Sequence, residues 1–207
     1  RKDVLSLCFG LLSIIAYDRT IGGGRRTGLF AVAGFMAAGL MVKPVLVVVP
    51  VLLLLLDVWP YRRTTVPLWS RMAEKWPLWL LAVAAGVVTL FAQQQSLVGA
   101  DESPLWPRIL NIPAVYGFYL SKTIWPAHLS VLYPDVRAPM WITIGYTASI
   151  LSISWLLWRD RARYPAFFTG WFWVLLALAP FCGLLKTGTV QVADRFMYLP
   201  AIGVSVI

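Results

Sequence analysis

Charged side chains that interrupt or border long apolar runs are the residues of this sequence most able to do chemistry. Lys43 is surrounded by leucine, methionine, valine and proline. An ammonium group in such surroundings either extends to a membrane surface or meets an anion, and lysine binds phosphate as a point charge. Asp194-Arg195 precedes the last apolar run, where the pair could start and anchor a helix, or contact a phosphate or sugar together with Tyr198.

Acidic residues and histidine offer a second kind of chemistry. Asp101-Glu102 could bind Mg²⁺ or act as a base, although adjacent acids in loops of glycine and proline are usually just solvated. His128 is the one histidine of the chain and has no partners at metal-ligand spacing, so it is expected to be an interfacial polar residue. A divalent metal therefore has no supported site, and no cofactor is predicted. The motifs of serine hydrolases, P-loop proteins, zinc peptidases and Rossmann domains are missing from the sequence.

The elements that must position these side chains are long apolar segments. Of the 207 residues, 59% are hydrophobic and only 13% are charged, and the mean hydropathy is +0.74. A soluble domain of this length usually carries about 25% charged residues to cover its surface. The composition therefore argues against a soluble enzyme, a coiled coil or a disordered chain, and it predicts an all-α polytopic membrane protein.

The basic residues lie in small groups between the apolar segments, although the net charge is +9. The groups are Arg25-Arg26, Arg62-Arg63, and Arg159 with Arg161 and Arg163. Nucleic-acid binding would need a continuous basic face, so no nucleic-acid partner is expected. Basic groups that alternate with membrane spans instead favour the cytoplasmic side of the membrane.

The longest apolar stretch covers residues 29–56 and has two interpretations. As one helix it would be about 42 Å long, more than a ~30 Å hydrocarbon core needs. As a hairpin it would turn at Lys43, with Pro44 opening the second arm. Because the hairpin keeps Arg25-Arg26 and Arg62-Arg63 on one side of the membrane, we prefer it.

The whole chain is predicted to be part of one transmembrane domain, and both of its ends look cut from something longer. Helices are expected at residues 4–17, 29–42, 44–59, 76–98, 141–158 and 167–185, with another beginning in 196–207 and a re-entrant or interfacial helix at 109–125. The outer face would then carry Arg1, Asp3, Lys43, Asp101, Glu102, Lys122, His128, Tyr133, Asp135, Asp194, Arg195 and Tyr198. Ionisable groups near membrane depth are costly, so this face is the predicted site.

Four strings, taken in order, carry a resemblance to a known family. They are Arg1-Lys2-Asp3-Val4-Leu5-Ser6; Leu40-Met41-Val42-Lys43-Pro44, which leads to Asp57-Val58-Trp59-Pro60; Tyr119-Leu120-Ser121-Lys122-Thr123-Ile124-Trp125-Pro126, followed by Tyr133-Pro134; and Val192-Ala193-Asp194-Arg195-Phe196-Met197-Tyr198-Leu199-Pro200. Together they resemble the membrane half of bacterial tetratricopeptide-repeat membrane proteins. Those proteins are similar to the tetratricopeptide-repeat-containing protein O-mannosyltransferases, which belong to the GT-C class of glycosyltransferases.

The resemblance implies a GT-C-like transmembrane helix bundle that transfers a sugar from a polyprenyl-phosphate donor to a protein acceptor. It also implies a bacterial inner-membrane protein whose active face is extracytoplasmic and which carries tetratricopeptide repeats after further helices. In such families an acidic base lies in the first outer loop, which would precede Arg1. Donor phosphate or substrate binding is implied for Arg1, Asp3, Lys43, Lys122, Asp194, Arg195 and Tyr198.

The sequence departs from the pattern of the animal family members at two places, and two functions other than glycosyl transfer are also consistent with it. Pro44 stands where animal members have a glutamate, and Asp194-Arg195 stands where they have Glu-Arg. A transporter or flippase of lipid-linked sugars and a non-catalytic scaffold carrying tetratricopeptide repeats are the alternatives to a glycosyltransferase. For the glycosyltransferase we expect Arg1, Lys43 and Arg195 to converge on one cavity, since cations stabilise a leaving lipid phosphate.

Overall fold

The protein is seen in a computed structural model that describes residues 1–23, 28–94, 105–127, 130, 133, 138–182 and 192–207. The chain divides into two compact units, Arg1–Gln95 and Ser96–Ile207. The described residues form helices and turns, with one isolated antiparallel bridge between Tyr133 and Val192. The predicted helical class is therefore confirmed for the described part of the chain.

The first unit begins with two antiparallel helices, α1 (Lys2–Gly23) and α2 (Gly28–Val42). The face of α1 that is buried consists of Ser6, Gly10, Ser13, Tyr17 and Thr20. Small side chains at helical spacing let two helices approach closely. The hydroxyl of Ser13 donates a hydrogen bond to the Val32 carbonyl oxygen at 3.1 Å, and that of Ser6 donates to the Gly39 carbonyl oxygen at 3.4 Å.

The chain turns at Lys43, which has an extended backbone, and returns through residues 44–58. This segment starts as a 3₁₀ helix at Pro44–Val48 and continues as α3 (Val49–Val58). The sequence predicts a single helix over 44–59, but the segment is divided between a 3₁₀ helix and α3. Pro50 has no amide hydrogen to donate within a continuous α-helix, and it lies in the first turn of α3, where this hydrogen is not needed. Leu46 packs over Gly10 and Gly39, where any larger residue would collide with its side chain.

The segment after α3 contains three further helical elements. It contains a 3₁₀ turn at Arg63–Thr65, α4 (Leu68–Glu74) and α5 (Trp76–Gln94). α4 and α5 meet at an angle of 69°. Pro77 in the first turn of α5 has no amide hydrogen to continue the helix from α4, which explains the break at Lys75.

The second unit contains α6 (Leu105–Ile124), α7 (Met140–Arg159), α8 (Pro165–Leu178) and α9 (Pro200–Val206). Its core contains Val115, Tyr119, Val174, Leu178 and Val192. α8 continues as a 3₁₀ turn at Ala179–Phe181, and another turn at Asp194–Met197 precedes α9. The last helix thus begins at Pro200 rather than at residue 196, because proline is favoured in a first helical turn.

Several predicted helix bounds differ from those in the structure. α1 continues through Asp18-Arg19-Thr20 to Gly23 instead of ending at residue 17. The polar side chains there are accommodated: Thr20 donates to the Ala16 carbonyl oxygen, and Asp18 accepts a hydrogen bond from Tyr61. α6 begins at Leu105, four residues before the predicted start of 109–125.

Among the described residues, two helices, α1 and α7, are long and apolar enough to cross a membrane, or three if the bent pair α4 and α5 is one span. α2, residues 44–58 and α8 with its 3₁₀ turn are apolar but shorter. α7 buries none of its residues and exposes Ile144, Leu151 and Trp155. A helix that is apolar all round suits a lipid environment. The sequence analysis expects more membrane spans than these, and that larger number stays a prediction.

Candidate functional site

The structure places Lys43 and Asp3 in contact at one end of the first unit. The Lys43 ammonium forms an ion pair with Asp3 Oδ1, and each side chain is about one-quarter exposed. The contact follows from the antiparallel packing of α1 and α2, which brings the start of one helix beside the end of the other. Arg1, another predicted site residue, is exposed at the same end of α1.

An apolar groove of about 340 Å³ borders the turn that contains Lys43. It is lined by Leu40 and Pro44, on either side of Lys43 in sequence, and by Ala85, Val88, Thr89 and Ala92 of α5. The walls of the groove are mostly apolar, and Lys43 lies in sequence between two of the residues that line it. Such a combination suits an amphiphile that carries a negative charge at one end.

Asp194 forms a second cluster, in the second unit. Its Oδ2 atom accepts hydrogen bonds from the Tyr133 hydroxyl at 3.0 Å and from the Ser130 amide at 2.7 Å. The Tyr119 hydroxyl donates to the Ala193 carbonyl oxygen at 3.3 Å, which ties α6 to the same turn. The carboxylate is thus held by neutral donors.

Lys122 and Arg195 lie among aromatic rings of the second unit. The Lys122 ammonium donates to the Ala127 carbonyl oxygen and lies 5.6 Å from the centre of the Tyr133 ring. The Arg195 guanidinium lies 5.4 Å from the centre of the Phe196 ring. Tyr198 is half exposed at the end of the same turn. Arg195 belongs to the second unit and Lys43 to the first, so their convergence with Arg1 on one cavity stays a prediction.

The four strings that carry the family resemblance meet in two pairs. The first string supplies Asp3 and the second supplies Lys43, and these two residues form an ion pair. The third supplies Tyr133 and the fourth supplies Asp194, which are joined by a hydrogen bond. Each pair connects segments that are 40 or more residues apart in the sequence.

A buried charged cluster, formed by Tyr17, Asp57, Arg63, Glu74 and Lys75, was missed by the sequence analysis. Asp57 and Lys75 are both fully buried, and Lys75 Nζ lies 2.6 Å from Asp57 Oδ2. The Tyr17 hydroxyl donates to the other carboxylate oxygen, Asp57 Oδ1, also at 2.6 Å. A buried carboxylate needs such an ion pair and hydrogen bond, because the transfer of an isolated charge out of water costs several kcal/mol of free energy.

Arg63 extends the buried charged cluster toward the surface. Its guanidinium lies 2.9 Å from Glu74 Oε2 and 3.4 Å from Asp57 Oδ1. Although burial opposes it, contact with these two carboxylates raises the pKa of Arg63. Beside the cluster, burial and the hydrogen bond to Asp18 raise the pKa of Tyr61.

Two sequence signals could have revealed the cluster. Asp57 follows five consecutive leucines, and Lys75 directly precedes the apolar run of α5. Ionisable residues inside or against apolar segments are expected to find partners. The Arg62-Arg63 pair is predicted from the sequence only as a topology signal, and this interpretation overlooks Arg63 as an ion-pair partner of Asp57 and Glu74.

The described residues include no group of three or more histidines, cysteines or acids able to hold a metal ion. Asp101, Glu102, His128 and Asp135, which were considered as possible site residues, lie outside the described part of the chain.

A scan against family models found no match, and searches of curated proteins and of solved structures found none either.

Proposed function

We propose that the chain is part of the membrane domain of a glycosyltransferase that takes a sugar from polyprenyl phosphate and transfers it to a protein. The observation that carries this proposal is the apolar groove lined by Leu40 and Pro44, the residues on either side of Lys43, which pairs with Asp3. A polyprenyl-phosphate sugar has the matching parts, since its tail is a branched hydrocarbon and its phosphate is an anion. The four strings that carry the family resemblance also meet in two pairs.

Lys43 has a specific task in the proposed reaction. When the bond between sugar and phosphate breaks, negative charge grows on the departing polyprenyl phosphate. A fixed cation stabilises that charge more than it stabilises the bound donor, and this difference lowers the barrier. Asp3 holds the ammonium in place until the donor phosphate arrives. Arg1, at the same end of α1, adds positive charge to this region.

The acceptor side of the reaction is proposed from the resemblance. A serine or threonine hydroxyl of the acceptor protein needs a carboxylate to take its proton as it attacks the sugar. The resemblance assigns that base to a loop before Arg1. Asp194, which is held by Tyr133 and Ser130, and the neighbouring Lys122, Arg195 and Tyr198 are proposed to contact substrate.

The proposed location is a bacterial inner membrane, with several apolar helices crossing it and the Lys43 end of α1 on the extracytoplasmic face. The length and apolar character of α1 and α7 support a membrane location. The exposed apolar surface of α7 supports it further, because such a surface is costly in water.

A transfer assay tests the function. The full-length protein in vesicles is supplied with polyprenyl-phosphate mannose and a peptide rich in serine and threonine. The mass of the peptide is then measured by mass spectrometry. We expect a gain of one hexose that depends on both protein and donor. Absence of transfer from any polyprenyl-phosphate hexose would contradict the proposal.

A transporter or flippase of lipid-linked sugars is the second candidate, and one observation favours it. Transporters often place their sites at interrupted helices, and the first unit has two interruptions, at Lys43-Pro44 and at the 69° bend before α5. The same vesicles separate the two functions. Movement of fluorescent polyprenyl-phosphate sugar between leaflets without transfer to the peptide would favour the transporter. Absence of both movement and transfer would favour a non-catalytic scaffold.

A further inference from the structure

The connection between α7 and α8 carries a compact group of basic residues, here called the arginine turn (residues 159–163). Arg159, Arg161 and Arg163 are all exposed. Asp160 is the acid of the turn, and its Oδ1 atom lies 3.4 Å from Arg159 Nε. Three arginines and one aspartate give the turn a net charge of +2. Positive charge next to an apolar helix favours an anionic ligand at a membrane surface.

Each arginine of the turn lies over an aromatic ring. The pairs, with the distance from the guanidinium carbon to the ring centre, are Arg159 with Trp155 at 5.2 Å, Arg161 with Trp158 at 5.2 Å and Arg163 with Tyr164 at 5.3 Å. A guanidinium stacks on a ring through its flat face, whereas its hydrogen bonds to a phosphate come from the N–H groups at its edge. Stacking therefore orients these side chains and is compatible with phosphate binding.

The protein itself uses only part of the donor capacity of the arginine turn. Arg161 donates from Nη1 to the Trp158 carbonyl oxygen at 2.8 Å, and Arg159 contacts Asp160 through Nε. Arg163 contacts the Tyr164 ring, and among the described residues its side chain donates no hydrogen bond. Since each guanidinium has several N–H donors, most of them remain for the oxygens of a ligand.

The ring that carries Arg161 is fixed by packing between α7 and α8. The centre of the Trp158 ring lies 5.8 Å from that of Phe168 and 6.2 Å from that of Phe172. One turn earlier on α7, Ser154 Oγ accepts a hydrogen bond from the Trp171 indole at 2.9 Å. The arginine turn thus joins two helices that are packed together, and a preorganised site loses less conformational entropy when a ligand binds.

Exposed tryptophans on α7 indicate the depth of the arginine turn in a bilayer. Trp141 is 74% exposed and Trp158 is 56% exposed, and tryptophan favours the headgroup level. The two residues are separated by about 26 Å along the helix, which is close to the ~30 Å thickness of a hydrocarbon core. With α7 across a bilayer, each tryptophan lies near one surface, and the arginine turn lies at headgroup depth beside Trp158.

We propose that the arginine turn binds the headgroup of an anionic phospholipid, with the phosphate against the edges of the guanidinium groups and the acyl chains along α7. A lipid fits better than an acidic protein segment or a nucleic acid, because Leu151 and Leu156 of α7 are exposed next to the turn and would stay in water with a soluble polyanion. The proposal rests on the membrane location proposed above and is independent of sugar transfer.

The proposed site differs from a simple topology signal in what it requires. A topology signal needs positive charge alone, and lysine supplies that charge as well as arginine does. The proposed site also needs the planar guanidinium group, which stacks on a ring and presents several donors to phosphate at once. Replacement of the arginines by lysine therefore separates the two roles.

Lipid titration of the full-length protein tests the proposal. The protein in neutral detergent is titrated with dioctanoyl phosphatidylglycerol, dioctanoyl phosphatidylcholine or inorganic phosphate, and binding is followed by calorimetry. We expect phosphatidylglycerol to bind about tenfold or more tightly than either comparator, because its charge and its chains both contribute. Equal binding of the two lipids would overturn the proposal, and phosphate binding as tightly as phosphatidylglycerol would overturn the assignment to a lipid.

A triple glutamine variant, Arg159→Gln with Arg161→Gln and Arg163→Gln, places the binding at the arginine turn. It should weaken phosphatidylglycerol binding about tenfold or more. The matched control removes the same amount of charge at exposed residues of the first unit, through Lys2→Gln, Arg19→Gln and Arg62→Gln, and should bind as wild type. Wild-type binding by the folded triple glutamine variant, or an equal loss in the control, would overturn the proposal.

A triple lysine variant, with Arg159, Arg161 and Arg163 all changed to lysine, keeps the charge of the turn and so provides a second test if the glutamine variant does not fold. It should weaken phosphatidylglycerol binding about threefold or more, since each ammonium group lacks the planar set of donors. Wild-type affinity in the triple lysine variant would show that charge alone attracts the lipid and would overturn the stacked-guanidinium site.

Discussion

The hydroxyl of Tyr17 donates a hydrogen bond to Asp57 Oδ1 at 2.6 Å, across 40 residues of sequence. Tyr17 lies on α1 and Asp57 at the end of α3, so the bond fastens the third segment of the bundle to the first. Lys75 completes the arrangement, because its ammonium binds the other carboxylate oxygen and lies 4.9 Å from the centre of the Tyr17 ring. Three distant parts of the chain thus converge on one buried carboxylate.

Asp57→Asn should destabilise the first unit strongly. The substitution leaves the fully buried Lys75 ammonium without its counter-charge, and breaking one side of a buried ion pair costs about 3 to 5 kcal/mol. Thermal unfolding of the full-length protein in detergent should show a clearly lower midpoint. Asp160→Asn, which changes an acid in an exposed ion pair on the second unit, is the matched control and should shift the midpoint little.

The double variant Asp57→Leu with Lys75→Met should be more stable than Asp57→Asn alone. It removes both charges, so neither is left buried and unpaired. The same unfolding measurement compares the two variants. A double variant that is no more stable than Asp57→Asn would show that the ion pair is not the reason for the loss.

Gly170→Ala should destabilise the packing of α8 against α9. A Cβ atom at Gly170 would lie 2.6 Å from the Gly203 carbonyl oxygen, and backbone cannot move aside as a flexible side chain can. Overpacking of this kind costs about 1 to 3 kcal/mol. Gly145→Ala is the control, since its Cβ meets nothing within 4 Å, and alanine in a helix should be neutral or slightly stabilising. Equal unfolding midpoints for the two variants would contradict the close α8–α9 contact.

Local sequence signals account for much of the fold. Apolar runs of helical length and sparse charge predicted helices, and Pro44 after Lys43 marked where α2 ends. The end of α1 could not be placed this way. Asp18-Arg19-Thr20 resembles a connector in isolation, and it stays helical because its groups find partners within α1 and on Tyr61.

Long-range contacts were harder to predict than helices. Lys43 has no acid near it in the sequence, and its partner Asp3 lies 40 residues away. Asp57 and its partner Lys75 are likewise 18 residues apart in the sequence. Ionisable residues can pair only if their helices are neighbours. A helix that is hydrophobic on all sides has no distinct apolar face, so its sequence does not specify which helices pack against it.

The predicted topology can be tested with single cysteines at Thr65 and Ala138. Thr65 lies in the Arg63–Thr65 turn, which is predicted to be cytoplasmic from its positive residues, while Ala138, just before α7, is predicted to be on the opposite side of the membrane. Cys8 and Cys182 are first replaced by alanine so that each variant has one thiol. In intact cells, an impermeant maleimide should label the cysteine at 138 and spare the one at 65. Labelling of both would contradict this arrangement.

Val88→Trp should impair the proposed sugar transfer by filling the apolar groove beside Lys43. Val88 lines the groove and is 67% exposed, so a larger side chain there can be accommodated without disturbing a packed core. We expect a higher KM for polyprenyl-phosphate mannose, with thermal stability near that of the wild type. Val87→Trp places the same ring one residue away on α5, at a position that does not line the groove, and should leave KM unchanged.

Lys43→Met should reduce transfer about 10- to 150-fold, the loss expected when one charge-assisted contact worth about 1.5 to 3 kcal/mol is removed. Since Lys43 is paired with Asp3, the variant also breaks this ion pair, and its loss would lower stability rather than catalysis. Asp3→Asn separates these effects, because it breaks the same ion pair but keeps the cation. If Lys43 acts on the donor phosphate, Asp3→Asn should retain far more transfer activity than Lys43→Met at equal amounts of folded protein.

Lys2→Met, at an exposed lysine of the same helix end, should behave as wild type. Equal losses in Lys43→Met and Asp3→Asn would mean that the pair serves structure alone.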